Sequence, residues 1–188
     1  MARKPILPDE FGNFTDKQLE KLKNRARNVC VWYLTKKRHT RKELEKKLVE
    51  RLIPEDIIEN TLNTLEEEGQ INDAEYAALF VDSKRTYDKL GSQAIRYKLM
   101  NKGIPSDIID EALSVLDEDN LRETALLLVR KKLPYIQKLE KQKQINRLVG
   151  MLAYKGYNAG VAFSVVKEAM DEYAETQLEE EEPPNFDD

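Results

Sequence analysis

An internal repeat constrains this chain more than any other feature. Leu44, Leu48, Ile53, Pro54, Ile57, Ile58, Leu62 and Leu65 return 51 positions later as Ile95, Leu99, Ile104, Pro105, Ile108, Ile109, Leu113 and Leu116. Ala26 returns in the same shift as Ala77. A looser third copy lies a further 53 positions on, with Leu148, Leu152, Gly156, Tyr157, Val161 and Val166 falling on Ile95, Leu99, Gly103, Ile104, Ile108 and Leu113. A unit of about 50 residues is marginal alone, so neighbouring units are expected to pack on one another or be linked by long helices. The chain has 188 residues, room for three of them.

Each unit is expected to be helical. Between Gly12 and Pro54 there is neither Gly nor Pro, which leaves long helices uninterrupted. Thr15 with Gln18, and Thr40 with Glu43, have the spacing of capping boxes, a hydroxyl for the N3 amide and a side chain reaching back. Leu19, Leu22, Ala26, Val29 and Tyr33 follow at helical spacing and define one buried face. Pro54 suits a first helical turn, and Gly69 a helix stop. The reading is an all-α chain of three tandem three-helix, helix-turn-helix-like repeats forming an elongated, curved array. Its parts are an N-terminal extension (1–14), repeats at 15–69, 70–117 and 118–177, and an acidic tail (178–188) expected to be disordered. The first helix of the third repeat is expected over about Asn120 to Lys132, with a longer connection around Pro134.

Charge follows the repeat. The totals nearly balance, 31 Lys and Arg against 35 Asp and Glu, but the distribution alternates. Lys36 to Arg51 holds eight basic and three acidic residues, Lys84 to Lys102 six and one, and Arg130 to Arg147 seven and one. Glu55 to Glu68 and Ser106 to Asn120 each carry six acids and no base. The loop after helix one, with helix two, is thus basic in every copy. Equivalent basic loops suit phosphates or an acidic protein groove. The plainer alternative is solvated helix faces with local pairs such as Glu43 with Lys47. Trp32, Tyr33, Tyr87, Tyr135 and Tyr154 lie in or beside the basic stretches, an interleaving that supports base stacking. Of these, Trp32 and Tyr87 are expected to be exposed, and Tyr33 and Tyr154 to suit the core.

Reaction chemistry is not expected. His39 is the single histidine, and no nucleophile or orienting carboxylate stands at a recognisable spacing from it. Cys30, the single cysteine, reads as a small buried hydrophobe and excludes a disulfide framework. There is no phosphate loop and no dinucleotide fingerprint among the seven glycines. Glu66-Glu67-Glu68 and Asp117-Glu118-Asp119 read as solvated helix ends, so no metal and no cofactor is expected. No apolar run approaches the roughly 20 residues that a bilayer demands, and the N-terminus lacks the apolar core of a signal peptide.

The units resemble the RecX family of bacterial recombination regulators over about residues 24 to 170. The middle copy carries the resemblance most specifically. Ile71-Asn72-Asp73-Ala74-Glu75-Tyr76-Ala77 is similar to the family's junction between first and second units, and Arg85, Gly91, Ile95, Arg96, Leu99, Lys102, Gly103 and Ile104 follow in its characteristic spacing. Thr40, Glu43 and Leu44 match the capped second helix, and Leu152 to Tyr157 the family's ending. Lys89 stands where a small residue is expected, the third unit is degenerate, and the acidic tail lies outside the common pattern.

The resemblance implies a non-enzymatic, cytoplasmic regulator, monomeric and not membrane-bound, that lies in the groove of the RecA filament on single-stranded DNA. It implies lowered ATPase, strand exchange and SOS activity. Direct DNA contact is expected to be weak to moderate. The residues expected to touch filament or DNA are Lys36, Lys37, Arg38, Lys84, Arg85, Lys89, Arg96, Lys131, Lys132 and Lys143. Two rivals predict different behaviour: a RecA-independent helical DNA-binding protein binds naked DNA with a steep salt slope, and a purely protein-directed scaffold shows no DNA dependence.

Overall fold

The computed structural model describes residues 6–10 and 13–181. Among them are nine α-helices and no strand. The first repeat holds α1 (Asp16–Leu34), α2 (Arg41–Val49) and α3 (Glu55–Glu67), and the second α4 (Asp73–Thr86), α5 (Ser92–Asn101) and α6 (Ser106–Ser114). The third holds α7 (Glu118–Lys132), a 3-10 turn at Leu133–Ile136, α8 (Lys141–Tyr154) and α9 (Ala159–Glu181). The all-α architecture of tandem three-helix repeats is therefore as expected. Helix α9 continues through residues 178–181, so the expected tail begins as helix; residues 182–188 of that tail, and residues 1–5 and 11–12 of the extension, lie outside the described residues.

Local chemistry sets the boundaries. Thr15 and Thr40 each form the complete capping box, with Gln18 and Glu43 reaching back to the cap amide. Pro54 sits one position earlier than the first helical turn, as the cap residue of α3, with an extended ψ of 146°. The second helix of all three repeats ends alike. Ile53, Ile104 and Tyr157 each donate a backbone N–H to the carbonyl five residues back, on Leu48, Leu99 and Leu152. The preceding residue, Leu52, Gly103 or Gly156, is left-handed, with φ of 56°, 78° and 83°. This is the Schellman close, repeated three times.

The chain divides into two compact units, one of Met1–Phe80 with Lys98–Ala112, the other of Val81–Tyr97 with Leu113–Asp188. In the first, α1, α2 and α3 pack mutually around Leu22, Ala26, Cys30, Leu44, Leu48, Ile57, Leu62 and Leu65. Cys30 continues the Leu22–Ala26 stripe at i+4 and is fully buried; burial pushes its thiol up to about 11. In the second unit, α9 packs along α7 and α8 over Ala125, Val129, Leu148, Leu152, Val165 and Val166. Arg122 with Glu168, and Arg130 with Glu172, bridge α7 to α9 along the rim. The matching second-repeat residues Ile95, Leu99, Ile104 and Ile109 are buried as well, whereas Ile108, Leu116 and Val161 stay partly exposed.

Candidate nucleic-acid interface

The basic loops are held by a joint that occurs twice, once in each unit. In the first unit the Thr40 hydroxyl, at the cap of α2, donates to the Lys102 carbonyl at 2.7 Å. In the second unit the Gly91 amide, at the same cap position of α5, donates to the Lys155 carbonyl at 2.9 Å. Each joint thus ties the Lys-Gly turn after one repeat's second helix to the cap of the preceding repeat's second helix. The fit is close: a Cβ on Gly103 would lie 2.3 Å from Lys42 Cβ, and one on Gly156 would lie 2.2 Å from the Ala94 amide nitrogen. Contact leaves no room for a side chain at either turn, and the left-handed φ favours glycine there as well.

The first joint is polar and half-buried. Glu43 Oε1 accepts from Lys102 Nζ at 2.8 Å, and Oε2 accepts from the Thr40 amide at 3.3 Å. Its partner is therefore Lys102 rather than the Lys47 of the plainer alternative, which pairs with Glu50. Burial pushes the Glu43 carboxyl up, but the Lys102 ammonium and the Thr40 amide outweigh it and hold the group below its ordinary value. Burial likewise opposes the Lys102 charge, and hydrogen bonds to Glu43 and Tyr76 reverse that, raising it. Lys102 also lies 5.3 Å from the Tyr76 ring centre and 5.9 Å from that of Phe80. The Arg41 amide donates to Asp73 Oδ1 at 2.9 Å, and burial raises the Asp73 carboxyl.

His39 stays in the basic loop, but its side chain is buried against this network. Its Nδ1 is 3.2 Å from Glu43 Oε2, while Nε2 is buried without a partner. The orienting carboxylate unseen in the sequence is thus one helical turn away, but it serves the joint.

In the second joint, Lys155 Nζ donates to the Asp88 carbonyl at 2.9 Å and the Tyr157 hydroxyl to the Lys89 carbonyl at 3.1 Å. Burial pushes the Tyr157 phenol up to about 12 against the opposing charge of Arg85. Lys89, where a small residue was expected, adopts a left-handed φ of 52°. A lysine at this conformation carries some strain, and its side chain stays exposed.

The ten expected contact residues fall into distinct settings. Lys36, Lys37, Arg38, Lys89, Lys131 and Lys143 are exposed, while Lys84, Arg85, Arg96 and Lys132 are partly buried. Lys36 Nζ sits 4.7 Å over the Trp32 ring, and Lys132 Nζ 5.9 Å from that of Tyr135. Arg38 pairs with Glu75 at 2.9 Å, Lys84 with Asp88 at 2.6 Å and Lys143 with Glu140 at 3.4 Å. Lys36 to Arg38 belong to the first unit and the other seven to the second. Exposed ion pairs of this kind contribute about 0–1 kcal/mol.

Sequence reasoning missed Lys138 and Arg147. They line, with Lys132, a cleft of about 340 Å³ around Tyr135. Buried Leu133 and Ile136 anchor its 3-10 turn, and Gln144 Nε2 clasps the carbonyls of Gln137 and Leu139. Trp32 and Tyr87 are exposed as expected. Tyr154, expected to suit the core, is 91% exposed, because it lies opposite the Leu148–Leu152 stripe of α8. Tyr33 packs partly buried against the first core and accepts from Arg51 at 3.2 Å.

Fold and surface together define a tandem three-helix repeat protein with recurrent cationic loops. Family models described as the first, second and third three-helix domains of RecX match residues 26–65, 72–113 and 118–166. The chain belongs to the RecX family. It is 40% identical over 150 residues to regulatory protein RecX of Streptomyces coelicolor, covering 80% of each chain. It is 36% identical over 148 residues to that of Clostridium botulinum, covering 78% of this chain and 69% of the relative. The crystal structure of RecX from Lactobacillus salivarius superposes with a TM-score of 0.75 at 26% identity, over 80% of this chain and 97% of that one. Among the described residues, no helix is long and apolar enough to cross a membrane.

Proposed function

We propose that this chain binds the RecA filament on single-stranded DNA and regulates it, foremost by lowering its ATPase, strand exchange and SOS activity. It acts as a cytoplasmic monomer, by binding rather than by catalysis. The observation that carries this reading is the return of solvent-facing cations at the same loop of successive repeats in a chain of the RecX family. Lys36, Lys37 and Arg38 from one unit, and Lys84, Arg85, Lys89, Arg96, Lys131, Lys132 and Lys143 from the other, meet phosphates or RecA carboxylates. Lys138 and Arg147 join them through the cleft at Tyr135, whose exposed ring stacks on a base. Direct DNA contact is weak to moderate, because the overall charge of −4 opposes it.

Fluorescence anisotropy of a labelled single-stranded oligonucleotide, bare or coated with RecA, tests the reading. Single Lys→Ala changes each weaken filament binding by about 0–1 kcal/mol. The loop reversal K36E/K37E/R38E weakens it by tenfold or more, on the order of 1.4 kcal/mol. Tight, steeply salt-dependent binding to bare DNA that RecA does not alter assigns the chain instead to RecA-independent DNA binding.

A further inference from the structure

The first repeat presents a surface that its own basic loops do not explain. Helices α2 and α3 flank a groove of about 610 Å³. Its floor is Val49, Ile53 and Ile58, and its rim carries Glu45, Glu55 and Glu59. Among the described residues Glu45 pairs with Lys42, whereas Glu55 and Glu59 form no ion pair. The cation in the lining, Arg41, is already held by Glu66 and Asn63. Phosphate is repelled here, and a cationic partner is attracted.

Two further observations single out this groove. In the repeat alignment, Glu45 and Glu59 correspond to Arg96 and Asp110 in the second repeat and to Val149 and Phe163 in the third. Only the first repeat is acidic at both positions. The turn joining α2 to α3 also leaves Leu52 65% exposed, and Val49 beside it is 56% exposed. The matching turns at Gly103 and Gly156 are packed into the joints. The first-repeat turn thus keeps a large, exposed apolar side chain where the other two are packed glycines.

We infer that this acidic, apolar-floored groove docks a segment of a partner protein that presents an apolar side chain flanked by Lys or Arg. The inference rests on the filament reading above, and assigns this groove to the protein component of the filament while the cationic loops face the nucleic acid. Apolar insertion supplies the anchor, and Glu55 and Glu59 supply orientation and speed of association.

The test uses the full chain and two variants, Val49→Asp and the pair E55Q/E59Q, all at exposed positions. Far-ultraviolet circular dichroism checks folding, and anisotropy reads affinity for bare oligonucleotide and for RecA filaments. Val49→Asp is expected to weaken filament binding by about tenfold or more, a hot-spot effect. E55Q/E59Q is expected to weaken it several-fold with a shallower salt dependence, and both variants keep bare-DNA affinity within about twofold. Filament affinity unchanged in both variants overturns the inference while leaving the filament reading intact. Wild-type chain that ignores the filament overturns both. Sedimentation showing a dimer that Val49→Asp dissociates, with filament binding unaltered, assigns the groove to a second copy and overturns the inference as well.

Discussion

The second-to-third-helix turns of the first and third repeats share a backbone and differ in what they touch. Leu52 and Gly156 occupy the same Schellman position with φ of 56° and 83°. At Gly156 the added carbon of any other residue would meet the backbone of Ala94, whereas Leu52 extends into solvent. At this turn, therefore, backbone handedness alone does not demand glycine. The packed neighbouring repeat demands it at Gly156, and at the exposed Leu52 turn even leucine is tolerated, at a cost of about 1–2 kcal/mol.

Substitution at Gly156 should break the comparison most sharply. Gly156→Ala adds overpacking against backbone to an unfavourable φ and is expected to cost about 2–4 kcal/mol, read as a lower urea midpoint. Gly103→Ala meets the Lys42 side chain at 2.3 Å and should cost nearly as much. Thr40→Ala removes a helix cap and a joint hydrogen bond together, leaving the Lys102 carbonyl short of a donor. About 2 kcal/mol is expected, and the same assay reads it.

Acid should distinguish the first joint from the second. Glu43 lies below its ordinary value of 4.5, so its contribution is present above that pH and lost as pH falls through the lower folded value. Asp73 has the opposite shift, so its contribution is present below 3.8 and lost as pH rises through its raised value, partly offsetting Glu43 in the same window. Lys102, raised from 10.5, contributes below that pH and loses its contribution as pH rises through the folded value. The stability gap between wild type and Glu43→Gln should therefore narrow as the pH is lowered below about 4. A gap constant with pH would detach Glu43 from the joint. The smallest effect is expected at Leu52, where Leu52→Gly relieves strain but frees the unfolded chain. The change should lie within about 0.5 kcal/mol of wild type. A large loss would mean that Leu52 packs as a structural residue.

The repeat period, helix count and core faces were legible in the sequence because apolar spacing reports helix faces directly. Thr15, Thr40 and Gly69 were legible because capping chemistry is local. The joints were not, although their sign was present: Lys102-Gly103 and Lys155-Gly156 stand 53 positions apart, while the first repeat reads Arg51-Leu52. A Lys-Gly pair looks like an ordinary helix end until the opposing cap is known. The contact of His39 with Glu43 is hidden in the sequence for a similar reason, since burial of a loop histidine depends on contacts remote in the chain. Tyr154 shows the limit of composition, as an aromatic on a helix is assigned to the core unless the stripe is traced through Leu148 and Leu152. Lys138 and Arg147 were hidden because the cleft at Tyr135 forms only when the 3-10 turn folds back.

The most direct test of the regulatory reading is RecA ATPase on preformed single-strand filaments, with this chain titrated from well below to above the RecA concentration and excess single strand present. The account predicts loss of ATPase on those preformed filaments, with K36E/K37E/R38E displaced to higher concentration by tenfold or more, a shift on the order of 1.4 kcal/mol. ATPase unchanged across the titration, whichever component meets the DNA first, would contradict it.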